Sequence, residues 1–440
     1  MLSVFLIDDR GEDLIAFKSQ LNRLITNSGF KNIAILSSGV LLAQLFNIIS
    51  QPIITRLYTP EDFGILSLIT SMVTIFTPLV TLQYQMGIIS AKTDKEANVV
   101  CALTFYVLSI TVLIISICLI IFNIIYPTTF EETGIWIIMV APLLLFSGLV
   151  KIVESYNNRF EQYKLMSKIA LQRSITSNIL KIILGLFRFN FIGLIVSQFV
   201  ATIFGIRRQA QTINANRNDV FSATFSEMKS IALKYKVQPL YSMPGLFVTM
   251  GSFSILPILI NSLYSVEETG YFALSMSILA IPLSLISNNV GKVFFRKATL
   301  EKEQKGNFYS TFVSTSLLLL IISAIGFTIL WFIAEPIFSL IFGQEWSRSG
   351  LFVKVMVPLF AIRFVVTGLM NGFIISGKQL LKLLIQLLFI IVAIVIYAFT
   401  KVKNLPIETF LELINNGYFV LYAILFFVLF ITSKNRTKTK

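Results

Sequence analysis

The stretch "LYTPEDFG", Leu57 to Gly64, is a polar island in an otherwise apolar chain, and "LYSVEETG", Leu263 to Gly270, repeats it 206 residues later. In each copy a hydroxyl residue precedes an acid by three positions, Thr59 before Asp62 and Ser265 before Glu268. That is the pattern of a capping box, in which two side chains satisfy free N–H groups at a helix start. Pro60 suits the first helical position, and Glu61, Asp62, Glu267 and Glu268 complement the positive end of a helix. Gly64 and Gly270 then permit close backbone approach. Taken singly, each island is a turn between two helices and carries no chemistry.

The recurrence carries more. "YTPEDFGILSLITSMVTIFTPL" aligns with "YSVEETGYFALSMSILAIPLSL" as turn and helix in both halves. The preceding segments align as well, with one residue allowed between proline and tyrosine. Ser37, Gln44, Asn47 and Pro52 then match Ser242, Thr249, Ser252 and Pro257 at a constant offset of 205.

Around the islands, apolar residues make up 55% of 440 and charged residues only 13%, against about 45–50% and about 25% in soluble domains. The excess lies in runs of about 20 residues, the length that spans a hydrocarbon layer as a helix with its backbone satisfied internally. Twelve spans are predicted. The first six are Ile33–Ile54, Gly64–Leu82, Val99–Ile125, Gly134–Val153, Ile169–Phe187 and Phe191–Gly205. The second six are Pro239–Leu263, Tyr271–Val293, Phe312–Ile333, Phe352–Ile374, Leu380–Phe399 and Tyr418–Ile431. The fold class is thus an all-α polytopic membrane protein with twelve transmembrane helices in two six-helix lobes. With an even number of spans per half, the repeats are parallel, and substrate is handled at the interface between them. The expected divisions are an N-terminal cytoplasmic segment 1–31, an N-lobe 32–206, a linker 207–236, a C-lobe 237–432 and a basic tail 433–440.

Lysine and arginine set the orientation. With the N-terminus inside, 28 of the 36 basic residues fall on the cytoplasmic side, so both termini are expected in the cytoplasm. Trp136, Trp331 and Trp346 fall at outer ends, where amphipathic rings settle. The net charge of +14 then reflects topology and anionic headgroups, with no nucleic-acid partner expected. Histidine is absent, which excludes His-dependent catalysis and His-ligated metals. Cys101 and Cys118 share the third span without a CxxC spacing and read as packing residues. The first residues lack a basic start and a long apolar run, so no cleaved signal peptide is expected. Leu14, Phe17, Leu21, Leu24 and Ile25, at helical spacing, suggest a short surface helix or a disordered lead-in.

The candidate substrate-binding residues follow from polarity inside spans. Gln44, Asn47 and Gln51 form one stripe with Ser37 on the first helix, and Thr249 and Ser252 form the matching stripe with Ser242 on the seventh. Hydrogen bonding between helices is the alternative use of each. Arg363 sits mid-span in "VPLFAIRFVVTGLM", and Lys181 lies in "SITSNILKIILGLF". A basic residue at that depth costs at least ~2.5–3.5 kcal/mol on insertion scales. No acid is expected deep in any span to offset it, Glu154 lying near the inner end of the fourth. Water and a visiting anion best explain such a cation. Arg56 at the outer end of the first helix and Lys354 near that of the tenth are weaker candidates. A cationic, amide-lined lumen suits a phosphate-bearing or acidic-sugar cargo. A drug or cation antiporter would need an intramembrane carboxylate.

"NIISQPIITRLYTPEDFGILSLI", "RFEQYKLMSKIALQRSI" (Arg159 to Ile175) and the segment from "PLYSMPGLFVTMGSFSILPILI" to "NNVGKVFFRKA" resemble the bacterial polysaccharide transporters, the O-antigen or lipid-linked oligosaccharide flippases of the MOP exporter superfamily. The likeness covers about residues 30–430. It implies a MATE-like fold with two bundles around a cleft in the bacterial inner membrane. The implied partner is an undecaprenyl-pyrophosphate-linked sugar unit, moved from inner to outer leaflet without covalent chemistry. It also implies a polysaccharide polymerase and a chain-length regulator as partners. No catalytic residue, metal or cofactor is expected; the coupling ion, proton or sodium, is left open. Two rivals stand beside this reading: a small-molecule antiporter on the same fold, and a non-transporting membrane scaffold.

Overall fold

The computed structural model describes residues 28–125 and 138–435, with side chains from Ser38 onward. The proposed surface helix before Ser28, the side chain of Ser37, Trp136 and the last five residues of the tail lie outside the described residues. Among the described residues there are twelve long helices and no strand. In the first half they are α1 (Ser28–Thr55), α2 (Pro60–Val80), α3 (Asp94–Ile125), α4 (Val140–Arg159), α5 (Tyr163–Leu186) and α6 (Asn190–Ile203). In the second half α7 is Met243–Leu263, and α8 runs in two segments, Val266–Pro282 and Asn288–Lys305. There follow α9 (Tyr309–Phe342), α10 (Ser347–Leu369), α11 (Gln379–Lys403) and α12 (Ile407–Lys434).

Ten of these are long and apolar enough to cross a membrane, α6 only together with the helical turns that continue it to Ala215; α4 and α5 fall short, because each carries several charges within its length. The fourth helix also sits closer to the C-terminus than hydropathy placed it. Its last turns hold Lys151, Glu154 and Arg159, which a hydropathy sum rejects. Two of these charges are paired: Glu154 with Arg173 at 3.1 Å and Arg159 with Asp94 at 2.8 Å. The eighth helix departs from expectation too. Pro282 leads into a π turn at Leu283–Ser287, and the helix resumes through a charged stretch to Lys305.

The duplication is visible in the packing. α1 packs along α5, and six helices later α7 packs along α11. Pro52 and Pro257 both lie inside their helices. The linker forms short helical turns, the longest at Phe225–Lys234, which docks on the start of α3. There Glu96 accepts from Lys234 and from the Tyr235 hydroxyl, and burial together with that carboxylate pushes the Tyr235 hydroxyl up to about 12.

The two islands join the halves. α2 packs across onto α7 and α8, and the contact between α2 and α8 is backbone on backbone. A Cβ added at Gly64 would lie 2.0 Å from the Val266 carbonyl oxygen, and one at Gly270 1.8 Å from that of Pro60. Neither position can hold any other residue in this arrangement. The first island forms the complete capping box, Asp62 N–H to Thr59 and Thr59 N–H to the Asp62 carboxylate. The second forms only half. Ser265 accepts from the Glu268 N–H, but the Glu268 carboxylate turns to Arg348, which also reaches Glu408. Trp346 is fully buried beside this contact, not at a lipid interface as its sequence position suggested. Its indole N–H donates to the Thr55 carbonyl at 2.9 Å, and Phe63 and Tyr271 set their rings edgewise against it.

The island end is therefore where the lobes are sealed. A Gly270→Val substitution is expected to force that seal open. Read as impermeant-maleimide labelling of a Thr55→Cys reporter in a Cys101→Ala, Cys118→Ser background, it should raise the rate severalfold over the same reporter with Gly270 intact. An unchanged rate would show that the glycine contact does not hold the lobes together.

Candidate functional site

Below the island contact the lobes separate around a cavity of about 460 Å³. α2 supplies a wall of hydroxyls, Ser67, Thr70, Ser71 and Thr74, at helical spacing on one face. α1 supplies Gln51, α5 supplies Lys181, α7 supplies Ser254, α8 supplies Ser277, and α10 supplies Arg363. Phe63, Phe253, Phe272 and Phe360 fill the remaining wall.

The hydroxyls are oriented by their own helices. Thr70 donates to the Leu66 carbonyl, Thr74 to that of Thr70 and Ser277 to that of Ala273, at 2.7–2.9 Å. Each spends its proton on the backbone and keeps lone pairs for the cavity. These three accept hydrogen bonds, while the Ser67, Ser71 and Ser254 hydroxyls, the Gln51 amide, Lys181 and Arg363 can donate. That division matches a cargo carrying both hydroxyl donors and anionic acceptors.

Arg363 is held by aromatic rings. Its guanidinium carbon lies 3.6 Å from the Phe253 ring centroid and 5.0 Å from that of Phe360, and Tyr422 sits within its electrostatic reach. Phe253 is fixed by edge contacts to Tyr418 and Phe360. The guanidinium donates a hydrogen bond to the Tyr422 side chain, and stacking leaves its remaining N–H groups for a ligand. Lys181 faces the same cavity from the other lobe. Its backbone carbonyl accepts from Tyr58 at 2.7 Å, and burial, with Asp62 nearby, pushes that hydroxyl up to about 12, so it remains a donor. No ion pair among the described residues includes Arg363 or Lys181.

The sequence-predicted residues divide sharply. Gln51, Lys181 and Arg363 come together in the cavity; the other five do not line it. Asn47 accepts from Ser174 at 2.6 Å and Asn178 at 2.5 Å, tying α1 to α5. At the matching place in the second lobe, Thr249 donates to Gln386 of α11 at 2.8 Å, and the Ser252 carbonyl takes the Tyr418 hydroxyl at 2.6 Å. Gln44 is half-buried on α1 away from the lining. Arg56 reaches the Leu340 carbonyl at 3.4 Å, at the island end of α9. The polar stripes are thus mainly glue within each lobe. Lys354 pairs with Glu335 at 3.1 Å over the Trp331 ring. Glu335 lies inside α9, contrary to expectation, whereas Glu154 lies near the inner end of α4 as expected, beside Arg173. Both are paired with bases and neither lines the cavity. The hydroxyl wall of α2 was legible as a helical stripe but was not singled out. Cys101 is buried in the first lobe's core and Cys118 is exposed.

The family model of the polysaccharide biosynthesis proteins matches residues 53–350, more than half of the chain. The chain belongs to that family. Among solved structures it is similar to the lipid II flippase MurJ in an inward closed conformation, with a TM-score of 0.70 at 11% identity over 90% of this chain and 87% of that one. It is also similar to a multidrug resistance MATE transporter of the MOP superfamily. The inward-facing form of such a transporter gives a TM-score of 0.64 at 13% identity, covering 90% and 97% of the two chains. The outward-facing form gives 0.54 at 12%, covering 91% and 94%. No curated protein sequence matches the chain. This member of the polysaccharide biosynthesis family is therefore a multi-pass membrane protein with the MOP fold.

The aromatic seat of Arg363 can be tested apart from its charge. Phe253→Leu keeps the volume apolar but removes the ring face, and is expected to weaken binding of inorganic pyrophosphate to the purified protein by roughly 2–30-fold, as loss of a cation–π contact of ~0.5–2 kcal/mol requires. Calorimetric titration reads it; unaltered affinity would leave the stacking without a role in binding.

Proposed function

We propose that this protein is a flippase that moves an undecaprenyl-pyrophosphate-linked oligosaccharide, an O-antigen unit or a related repeat, from the inner to the outer leaflet of the bacterial cytoplasmic membrane. One observation carries the reading: a cavity between the lobes receives an unpaired cation from each, Lys181 and Arg363, beside a hydroxyl wall and without a carboxylate. An anion of at least two charges satisfies both cations, and a sugar satisfies the acceptors on α2. The polysaccharide family supports a glycan cargo, and the lipid II flippase among its structural relatives supports a lipid-linked one.

The positive-inside bias supports cytoplasmic termini and islands at the outer face. The sealed island end then closes the cavity from outside, and the polar headgroup enters from the cytoplasmic side while its polyprenyl tail stays in lipid. Lys181 and Arg363 hold the pyrophosphate, the wall of α2 holds sugar hydroxyls, and rocking of the lobes about the linker transfers the opening from one side to the other. The glycine contact between α2 and α8 must part in that step. The chain acts by binding and release, with no bond made or broken, and its product supplies a polymerase acting on the outer face.

The test is a proteoliposome assay of lipid-linked oligosaccharide translocation, paired with complementation of a deletion strain. The wild-type protein should move the lipid-linked unit and restore surface glycan. Arg363→Ala with Lys181→Ala should reduce translocation by roughly tenfold or more, since each charge-assisted contact is worth ~1.5–3 kcal/mol, with lipid-linked units accumulating on the cytoplasmic face. Normal glycan export by the double variant would overturn the proposal, as would dye efflux by the purified protein without any effect on glycan.

A further inference from the structure

A second cavity, of about 640 Å³, lies between the resumed half of α8 and the first turns of α9, and shares no residue with the central one. Its origin is the kink. After the π turn, Ser287 donates to the Phe364 carbonyl at 2.6 Å, Asn371 donates to that of Gly291 at 3.0 Å, and Gly291 meets the Gly368 backbone. These contacts draw the second segment of α8 onto α10 and away from α9. The gap is floored by the buried Phe294 and walled by Val290, Val293 and Leu318, the last two half-exposed.

Part of its polar rim is unspent. Ser314 donates to the Thr311 carbonyl and the Thr311 side chain donates to the Glu301 carboxylate, whereas the Ser310 and Thr315 hydroxyls face the groove without such a bond. Lys297 is exposed on the opposite wall, with no ion pair among the described residues. The neighbouring acid, Glu301, is already committed: its carboxylate accepts from the N–H groups of Ser310 and Thr311 at 3.2 and 2.8 Å and faces Lys305. The groove runs from the first turn of α9 over about 13 Å of helix, at ~1.5 Å per residue. That reaches from headgroup depth into the acyl region, and α9 beyond it is exposed and apolar at Leu317, Leu320 and Ile321.

We infer that this groove binds an anionic phospholipid of the surrounding membrane, its phosphate between Lys297 and the Thr315 hydroxyl, its acyl chain along Val293 and Leu318. Charge decides for an anionic lipid: Lys297 faces the Thr315 hydroxyl without an ion pair among the described residues, while the Glu301 carboxylate is taken up by Ser310, Thr311 and Lys305. A lipid there wedges the two helices at the point where α8 bends. The inference stands apart from the cargo of the central cavity.

The experiment uses the full-length protein purified in detergent, with dioleoylphosphatidylglycerol, dioleoylphosphatidylcholine and inorganic phosphate as probes, read by native mass spectrometry and by thermal shift. Phosphatidylglycerol should remain bound and raise the Tm; phosphatidylcholine and phosphate should do neither. Lys297→Ala with Thr315→Val should weaken phosphatidylglycerol binding roughly tenfold or more, and Lys297→Arg should preserve it. Should the double variant fail to purify, Lys297→Gln alone decides, because Lys297 makes no bond that the fold needs. Wild-type retention by these variants, an equal effect of phosphatidylcholine or phosphate, or an equal loss in Lys401→Ala at the opposite end of the molecule would overturn the inference.

Discussion

The structure depends on one contact, the backbone crossing of α2 and α8 at Gly64 and Gly270. Where two helices touch without side chains between them, their separation is fixed by main-chain atoms and cannot be adjusted by rotamers. Everything at the island end is arranged around that distance. Trp346 fills the space beside it, Arg348 gathers Glu268 and Glu408 above it, and the capping interactions of Thr59 and Ser265 fix where each helix begins. Because the contact lies at one end, the same two helices diverge toward the other, and their diverging faces carry the hydroxyls that line the cavity.

Within each lobe the governing rule is that polar groups in apolar surroundings find partners. Asn47 is satisfied by α5, Thr249 by α11, Glu154 by Arg173, Lys354 by Glu335. Against that background Lys181 and Arg363 are exceptions of one kind. Each is stabilised short of neutralisation, Arg363 by ring faces and Lys181 by a position beside water-accessible space, and both point to the boundary between lobes. Like charges facing one cavity from two bodies resist closure around an empty site, and a polyanion removes that resistance. In the proposed cycle the geometry links occupancy to the rocking of the lobes.

Much of this was legible in the residues. The duplication, the twelve helices and the capped helix starts at the islands follow from hydropathy, glycine and capping patterns, which are local and periodic; that the islands join the halves does not. Arg363 and Lys181 were legible because a charge in an apolar run is costly wherever the run packs. The stripe of Gln44, Asn47 and Gln51 was legible as a stripe but not in its use. Only Gln51, one turn nearer the island, reaches the cavity, while Asn47 meets Ser174 and Asn178. Facing is a property of two helices, and a single helix's periodicity cannot say whether its partner face is lumen or neighbour. The same gap hid Glu335 and the true end of α9, since Lys354 makes that carboxylate tolerable from another helix.

By itself, then, the sequence determined the membrane-spanning class, the twofold repeat, the sign of the buried charge and the capped helix starts at the islands. These rest on transfer energies and short-range capping, which act within a few residues. The tertiary structure decided which polar residues are spent inside a lobe and which are left for a ligand, where α8 bends, and at which end the lobes are sealed. Those outcomes depend on distances between groups 100 to 300 residues apart, such as Trp346 and Thr55. Such distances are set by the packing of whole helices against one another, which no local pattern encodes.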